Sequence, residues 1–291
     1  VVIMISVIIP VFNDPEGIKE TLRSLTEQSS HPEYEIIVVD NDSTDSTPDV
    51  IREFEEGYPD LVFGHSETDI QSSYAARNTG IQHASGEVLA FIDADVTVGE
   101  RWVADISEKF RSSSVDYLGC NVEMYVPNGE DSIWARYDVA MGLPVQHYLE
   151  TKRFAPTCAL AVRREVIKQV GQFDETLVSG GDKEFGKRVS DRGFTLDYAP
   201  DIVVEHPART SLVSLMKKAD RIGEGQVQLW KRHSLAMHPV SPLRLLPPSP
   251  ERVKNRTQSS QLPLGIYLIS YLLKVIQTLR SVRIYFRHIL R

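Results

Sequence analysis

Hydrophobic positions in the first hundred residues fall into short runs separated by amphipathic stretches. Ile5–Val11 reads as a fully buried strand. Residues 15–27 follow with Ile18, Leu22 and Leu25 at helical spacing. Residues 35–39 predict a second strand ending at Asp40. Residues 45–55 predict a helix capped by Asp45 or Ser46, with Pro48 in its first turn. A short strand over 61–63, a helix over 73–83 and a strand over 88–92 ending at Asp93 complete the series. Strands alternating with helices predict an α/β fold: a Rossmann-like, mostly parallel sheet with helices on both faces. Ligands of such sheets sit at the carboxyl ends of the strands, where three polar clusters fall: Phe12-Asn13-Asp14, Asp40-Asn41-Asp42 and Asp93-Ala94-Asp95.

Beyond residue 96 the periodicity is weaker. Helices are predicted over 102–110, 164–170 and 183–192, and strands over 118–124, 158–162, 195–198 and 202–205. Residues 132–148 are rich in aromatics and carry no clear period. Residues 207–250 read as a helical stretch followed by a Pro-rich linker, 239–250. The predicted organisation is a body over 1–206, in two parts, 1–95 and 96–206. An extension over 207–250 and a basic helical tail over 251–291 follow.

Charge sharpens this division. The net charge is -8, but the last 41 residues hold eight Lys and Arg against one Glu, leaving 24 basic against 39 acidic side chains in the first 250. An acidic body argues against a nucleic-acid binder, and a basic tail points to a surface or partner contact. Two cysteines, Cys120 and Cys158, exclude a disulfide framework and a Cys-based zinc site, and fit a cytoplasmic setting. Residues 1–12 are nearly all apolar. They lack the basic start and small-residue cleavage site of a signal peptide, and read as a buried strand.

Asp93-Ala94-Asp95 is the first candidate for chemistry. Paired carboxylates after a strand can hold a divalent cation that in turn binds a diphosphate. Alone the pair says little, because 19 Asp in 291 residues give about one Asp-x-Asp by chance, and turns use Asp freely. Context decides. The segments Ser6-Val7-Ile8-Ile9-Pro10-Val11-Phe12-Asn13 and Glu35-Ile36-Ile37-Val38-Val39-Asp40-Asn41-Asp42-Ser43 resemble the opening of family 2 glycosyltransferases. So do Ala76-Arg77-Asn78-x-Gly80 running into Phe91-Ile92-Asp93-Ala94-Asp95, Val170-Gly171-Gln172-Phe173-Asp174 and Gly180-Gly181-Asp182. Order and spacing agree over residues 5–206.

The resemblance implies a GT-A fold with a C-terminal helical extension and sugar transfer from a nucleotide-diphosphate-sugar donor, UDP- or GDP-linked. It implies that Asp40 accepts a hydrogen bond from the base, Pro10 and Phe12 wall the base, and Asn13 meets base or ribose. Asp42 lies in the same cluster but equally fits turn chemistry. Arg77 suits the diphosphate, since a guanidinium matches phosphate oxygens in pairs. Asp93 and Asp95 serve ribose and metal, and His206 completes the metal site. An imidazole among the ligands favours Mn²⁺ over Mg²⁺. Asp182, after two glycines and at a helix start, is the implied general base, acting by direct attack and therefore with inversion. The family places an acid directly before this Asp, and here that position is Gly181.

The tail adds a partner. Leu268, Leu272, Val275, Leu279, Val282, Phe286 and Ile289 recur at steps of three and four beside Arg280, Arg283, Arg287 and Arg291. The apolar run 262–273 is 12 residues long, short of the roughly 20 needed to span a bilayer. A basic amphipathic helix lying on a membrane surface through residues 262–291 fits. A helix docked on the body and a homodimer seam fit the same stripe. A membrane contact implies a lipid-linked or cell-surface glycan acceptor and a peripheral place at the cytoplasmic face. Rival readings are a nucleotidyltransferase making nucleotide-sugars, whose usual Gly-rich basic loop is missing from residues 10–17, a phospho-receiver-like module of half the length, and a catalytically silent scaffold.

Overall fold

The structure is a computed structural model that describes residues 3–29, 33–257 and 263–289. It divides into two compact units. The first comprises residues 1–123, 145–176 and 181–206, and the second residues 124–144, 177–180 and 207–291.

The first unit is built on an eight-stranded sheet with helices on both sides. β1 (Ile5–Val11) is buried at every position. Full burial of each large apolar side chain stabilises by roughly 1.5–3 kcal/mol. Asp14 caps α1 (Pro15–Thr26) by accepting from the Gly17 amide, and Pro15 supplies the first helical residue, where no amide is needed. β2 (Tyr34–Asp40), α2 (Thr47–Gly57), β3 (Val62–Ser66), α3 (Ser73–His83) and β4 (Val88–Phe91) follow in the predicted order. β3, β2, β1 and β4 are adjacent and parallel.

Past β4 the sheet is mixed, with two strands running against their neighbours. The two-residue β5 (Thr97–Val98), α4 (Trp102–Ser112), β6 (Tyr117–Tyr125), β7 (Leu160–Arg163), α7 (Arg164–Val170), α8 (Gly181–Asp191) and β8 (Leu196–Pro207) build this half. β7 pairs antiparallel with both β4 and β6, and β5 with β8. The sheet is therefore mixed, and its antiparallel pairings are long-range ones that strand periodicity does not reveal. The two short strands expected over 195–205 are one continuous strand, β8.

The aromatic stretch without a clear period is two helices, α5 (Ile133–Met141) and α6 (Val145–Lys152), parted at Gly142 with φ 44°. In the second unit, α9 (Leu212–His233), α10 (Pro250–Thr257) and α11 (Leu264–Ile289) pack with α5 around Tyr137, Met141, Leu215, Ala219, Val253, Ile269 and Leu273.

The Pro-rich segment is docked rather than free. The Tyr267 and Tyr271 hydroxyls donate to the carbonyls of Pro248 and Leu245, and Lys274 donates to that of Leu246. Arg244 is buried, with its guanidinium on Met237 O, Gln226 and Ser281.

Helix α11 is apolar on two faces. Ile269, Leu273 and Ile284 are buried, while Leu264, Leu268, Leu272, Leu279 and Phe286 are exposed. Arg280 does not join the exposed basic line, because Asp220 and Glu224 of α9 hold its guanidinium at 3.3 and 2.7 Å. Leu262 and Arg291 lie outside the described residues, as does the side chain of Ile289. Among the described residues, no helix is long and apolar enough to cross a membrane.

α9 and α11 approach closely at Gly223, where a Cβ would lie 2.5 Å from the Gln277 carbonyl oxygen, and Ser281 donates to the Gly223 carbonyl at 2.7 Å. Gly223→Val is expected to destabilise the protein by about 1–3 kcal/mol through overpacking. Thermal unfolding reads this out, and an unchanged midpoint contradicts it.

Candidate active site

The carboxyl ends of β1 and β2 form the first part of the site. Asn13 and Asp42 both have positive φ, 49° and 64°, a conformation Asn and Asp tolerate better than other side-chain-bearing residues. The Asn13 amide donates to Ser43 Oγ, and Asn13 Oδ1 accepts from the Thr44 amide, both at 2.8 Å. Asn41 is buried and donates to the carbonyls of Glu67 and Ile70. Asn13 and Asp42 thus shape the loop, and Phe12 stands 46% exposed beside it. Pro10 lies two residues deeper, buried within β1 opposite Val39.

Asp40 is the informative residue here. It is buried, and its Oδ2 accepts from the Ser43 amide at 3.2 Å. Its Oδ1 has no hydrogen-bond partner among the described residues. A buried carboxylate oxygen left open is costly, so an N–H donor from a ligand would satisfy it.

The Asp93–Asp95 turn lies level with Asp40. Val11 pairs with Asp40, and Ile8 pairs with Phe91. The two acidic clusters are therefore separated by two strand spacings, about 10 Å. The buried Thr21 hydroxyl of α1 contacts the carbonyls of Ala94 and Val96 at 2.8 and 2.7 Å, which ties this turn to the helix.

Arg77 does not project into open space. Its side chain is 3% exposed and ion-paired with Asp93, and it also donates to the Ser73 carbonyl at 3.2 Å. Its Nε has no hydrogen-bond partner among the described residues. In this arrangement Arg77 orients Asp93.

Two antiparallel registers complete the cluster. Thr97 pairs with Glu205, so the next step along β8 brings His206, which is buried, back beside the Asp93–Asp95 turn. Phe91 pairs with Leu160, and extending that register by two residues sets Cys158 opposite Asp93. Ligand atoms of Asp93, Cys158 and His206 all lie within 4.8 Å of one another. Burial pushes the Cys158 thiol well up. The carboxylates of Asp93, Asp95 and Asp182 push in the same direction, and Arg77 opposes them. Cys120, by contrast, is raised to about 12 by burial alone.

Asp182 approaches from the other bank. It opens α8, and its Oδ1 accepts from the Lys183 amide at 2.8 Å. The Gly181 amide donates to the Tyr74 hydroxyl at 2.9 Å. A Cβ on Gly181 would lie 2.7 Å from the Tyr74 ring, so the position has no room for the acid that the family places there. Glu184 does not replace it, because Arg188 holds that carboxylate at 2.7 and 2.9 Å. Arg188 also donates to the carbonyls of Val170, Gly171 and Gln172, fixing the turn that precedes Phe173. Asn78 binds the Phe173 backbone at both its N–H and its carbonyl. Its place in the Ala-Arg-Asn motif is thus accounted for by structure.

Asp93, His206 and Cys158 therefore meet, with Arg77 on Asp93 and the carboxylates of Asp95 and Asp182 near enough to act on the Cys158 thiol; Cys158 is the member that strand periodicity does not flag. Three carboxylates against one guanidinium leave an excess of negative charge. With an imidazole and a thiol at hand, the donor set fits a divalent cation.

A mixed sheet with carboxylates gathered at one edge and helices on both sides is the layout of a GT-A glycosyltransferase. The sequence profile of Glycosyl transferase family 2 matches residues 6–171, and the chain belongs to this family and is a glycosyltransferase. Its relatives include glycosyltransferase AglE of Haloferax volcanii, 38% identical over 242 residues covering 83% of this chain and 79% of AglE. They also include the pre-mycofactocin glycosyltransferase of Mycobacterium tuberculosis, 29% identical over 79% of this chain and 48% of that protein. Among solved structures, the mannosyltransferase PcManGT from Pyrobaculum calidifontis, in complex with GDP-Man and Mn²⁺, superposes with a TM-score of 0.64 at 20% identity. That match covers 96% of this chain and 86% of PcManGT. S. aureus TarS 1-349 in complex with UDP-GlcNAc gives 0.57 at 20% identity, over 98% of this chain and 92% of that one. Both likenesses bear on the fold.

Proposed function

We propose that this glycosyltransferase moves a sugar, with inversion, from a UDP- or GDP-linked donor to an acceptor hydroxyl. The observation that carries the reading is the convergence of Asp93, Asp95, His206 and Asp182 at one sheet edge. The open carboxylate oxygen of Asp40 lies two strands away. That spacing suits a nucleotide whose base meets Asp40 and Phe12 and whose diphosphate reaches the Asp93–Asp95 turn. Asn13 and the Asp42 turn shape the base and ribose end, with Pro10 supporting Phe12 from within β1. Arg77 sets Asp93 and adds positive charge beside the diphosphate.

Asp93, Asp95 and His206 would hold a divalent cation, Mn²⁺ or Mg²⁺. When bound, it neutralises charge developing on the departing nucleoside diphosphate. Asp182 takes the proton of the acceptor hydroxyl as its oxygen attacks the anomeric carbon. Burial on the nucleotide holds the sugar in line for that attack.

The acceptor is a lipid-linked or cell-surface glycan. Support comes from α11, whose exposed Leu264, Leu268, Leu272, Leu279 and Phe286 suit the interfacial region of a cytoplasmic membrane face. The exposed Arg283 and Arg287 would each add roughly 1 kcal/mol on anionic lipid.

The test is a donor screen. UDP-, GDP- and dTDP-sugars are incubated with the protein in Mn²⁺ or Mg²⁺, and released nucleoside diphosphate is measured. Cation-dependent release from a UDP- or GDP-sugar is expected. Release of pyrophosphate, or turnover indifferent to chelator, overturns the assignment.

A further inference from the structure

The cation site proposed above uses oxygen and nitrogen donors, yet a sulfur, that of Cys158, lies within 4.8 Å of the donor atoms of Asp93 and His206. Cys158 is placed there by backbone register, two residues beyond the Phe91–Leu160 pair and therefore opposite Asp93. It is 4% exposed, and His206 is 5% exposed, so both donors face the protein interior. The candidate ligand atoms of Asp93, Cys158 and His206 lie within 4.8 Å of one another. Donors bound at about 2.0–2.3 Å around a tetrahedral ion sit roughly 3.5 Å apart. Closing on an ion therefore asks the donor atoms to approach one another by about 1 Å. Arg77 engages Oδ1 of Asp93, but a carboxylate offers about four lone-pair sites, so the ion pair and a metal bond are compatible.

We propose that Cys158 Sγ is a fourth protein ligand of the cation site in this chain, beside Asp93, Asp95 and His206, making it a mixed oxygen, nitrogen and sulfur centre that prefers thiophilic divalent cations such as Co²⁺ or Zn²⁺ over Mg²⁺. This rests on the reading that the strand ends hold a divalent cation. Ligation through sulfur forms one metal–sulfur bond and releases the thiol proton to solvent, with no change of oxidation state. Thiolate and imidazole favour Zn²⁺ and Co²⁺, whereas Mg²⁺ favours oxygen. The other cysteine, Cys120, is fully buried in β6 and is absent from this donor set.

The experiment uses the full chain, stripped with chelator and titrated with Co²⁺. A near-ultraviolet sulfur-to-cobalt charge-transfer band is expected alongside visible d–d bands, saturating at one equivalent. Cys158→Ser is expected to lose the near-ultraviolet band while keeping the visible ones. Its Zn²⁺ affinity should fall by roughly tenfold or more, with Mg²⁺ affinity little changed. Co²⁺ binding to the unsubstituted protein without the sulfur band overturns the Cys158 ligand and leaves the oxygen–nitrogen site standing. Failure to bind Co²⁺ at all overturns the site itself. Should Cys158→Ser fail to fold by circular dichroism, ¹¹³Cd resonance of the unsubstituted protein decides. A shift in the sulfur-ligated range supports the ligand, and one in the oxygen–nitrogen range overturns it.

Discussion

Asp182→Asn is expected to lower sugar transfer by roughly 10²–10⁴-fold, the usual contribution of a positioned general base, while donor affinity stays nearly unchanged. The amide keeps the shape of the carboxylate and can still accept from the Lys183 amide, which the carboxylate does at 2.8 Å. The start of α8 is therefore preserved, and what is lost is the capacity to take a proton. Initial rates of transfer and calorimetric titration of the nucleotide separate the two quantities. Normal transfer by this variant ends the base assignment. Loss of nucleotide binding would move Asp182 to the donor side of the reaction.

The second large effect is expected at Asp95. Asp95→Ala should remove cation-stimulated turnover, by about 10³-fold, because a bound cation contributes several kcal/mol of charge stabilisation and each 1.4 kcal/mol is tenfold. The signature differs from that of Asp182→Asn. Donor affinity and cation dependence should fall together, since both depend on the Asp93–Asp95 turn, and far-ultraviolet circular dichroism should be unaltered. Thr21 holds the turn through the backbone carbonyls of Ala94 and Val96, which the substitution leaves in place. A variant that keeps its response to Mn²⁺ places the cation elsewhere.

Much of the parallel half of the sheet was legible in the sequence because its contacts are local in order. β1, β2 and β4 are short apolar runs, each ending in a polar cluster. In a parallel sheet those ends necessarily share an edge. Asp40 and Asp93 were visible for the same reason, whereas Asp182 was found through the family resemblance of its Gly-Gly-Asp motif at a helix start. What stayed hidden depends on register between distant strands. Nothing in residues 157–163 says that the chain runs antiparallel to β4, so Cys158 entered the sequence reading only as one of two cysteines too few for a disulfide framework or a Cys-based zinc site, and not as the neighbour of Asp93. Arg77 read as a phosphate ligand because a guanidinium in a motif invites that reading, whereas the fold buries it against Asp93. The tail shows the limit of periodicity from the other side. A stripe of apolar positions on α11 was correctly found, but the pattern does not distinguish the exposed face from the equally apolar face carrying Ile269, Leu273 and Ile284. The docked Pro-rich segment escaped notice because its contacts are made largely by its backbone carbonyls.

Helix α3 touches both banks of the cleft. Its Tyr74 hydroxyl receives the Gly181 amide at the threshold of Asp182, and its Arg77, whose guanidinium carbon lies 5.8 Å from the Tyr74 ring centroid, grips Asp93. The separation between the start of α8 and Asp93 is thus gauged by one turn of helix, like the fixed jaw of a caliper. Sliding α3 along the sheet would carry both settings together and leave the span between them intact.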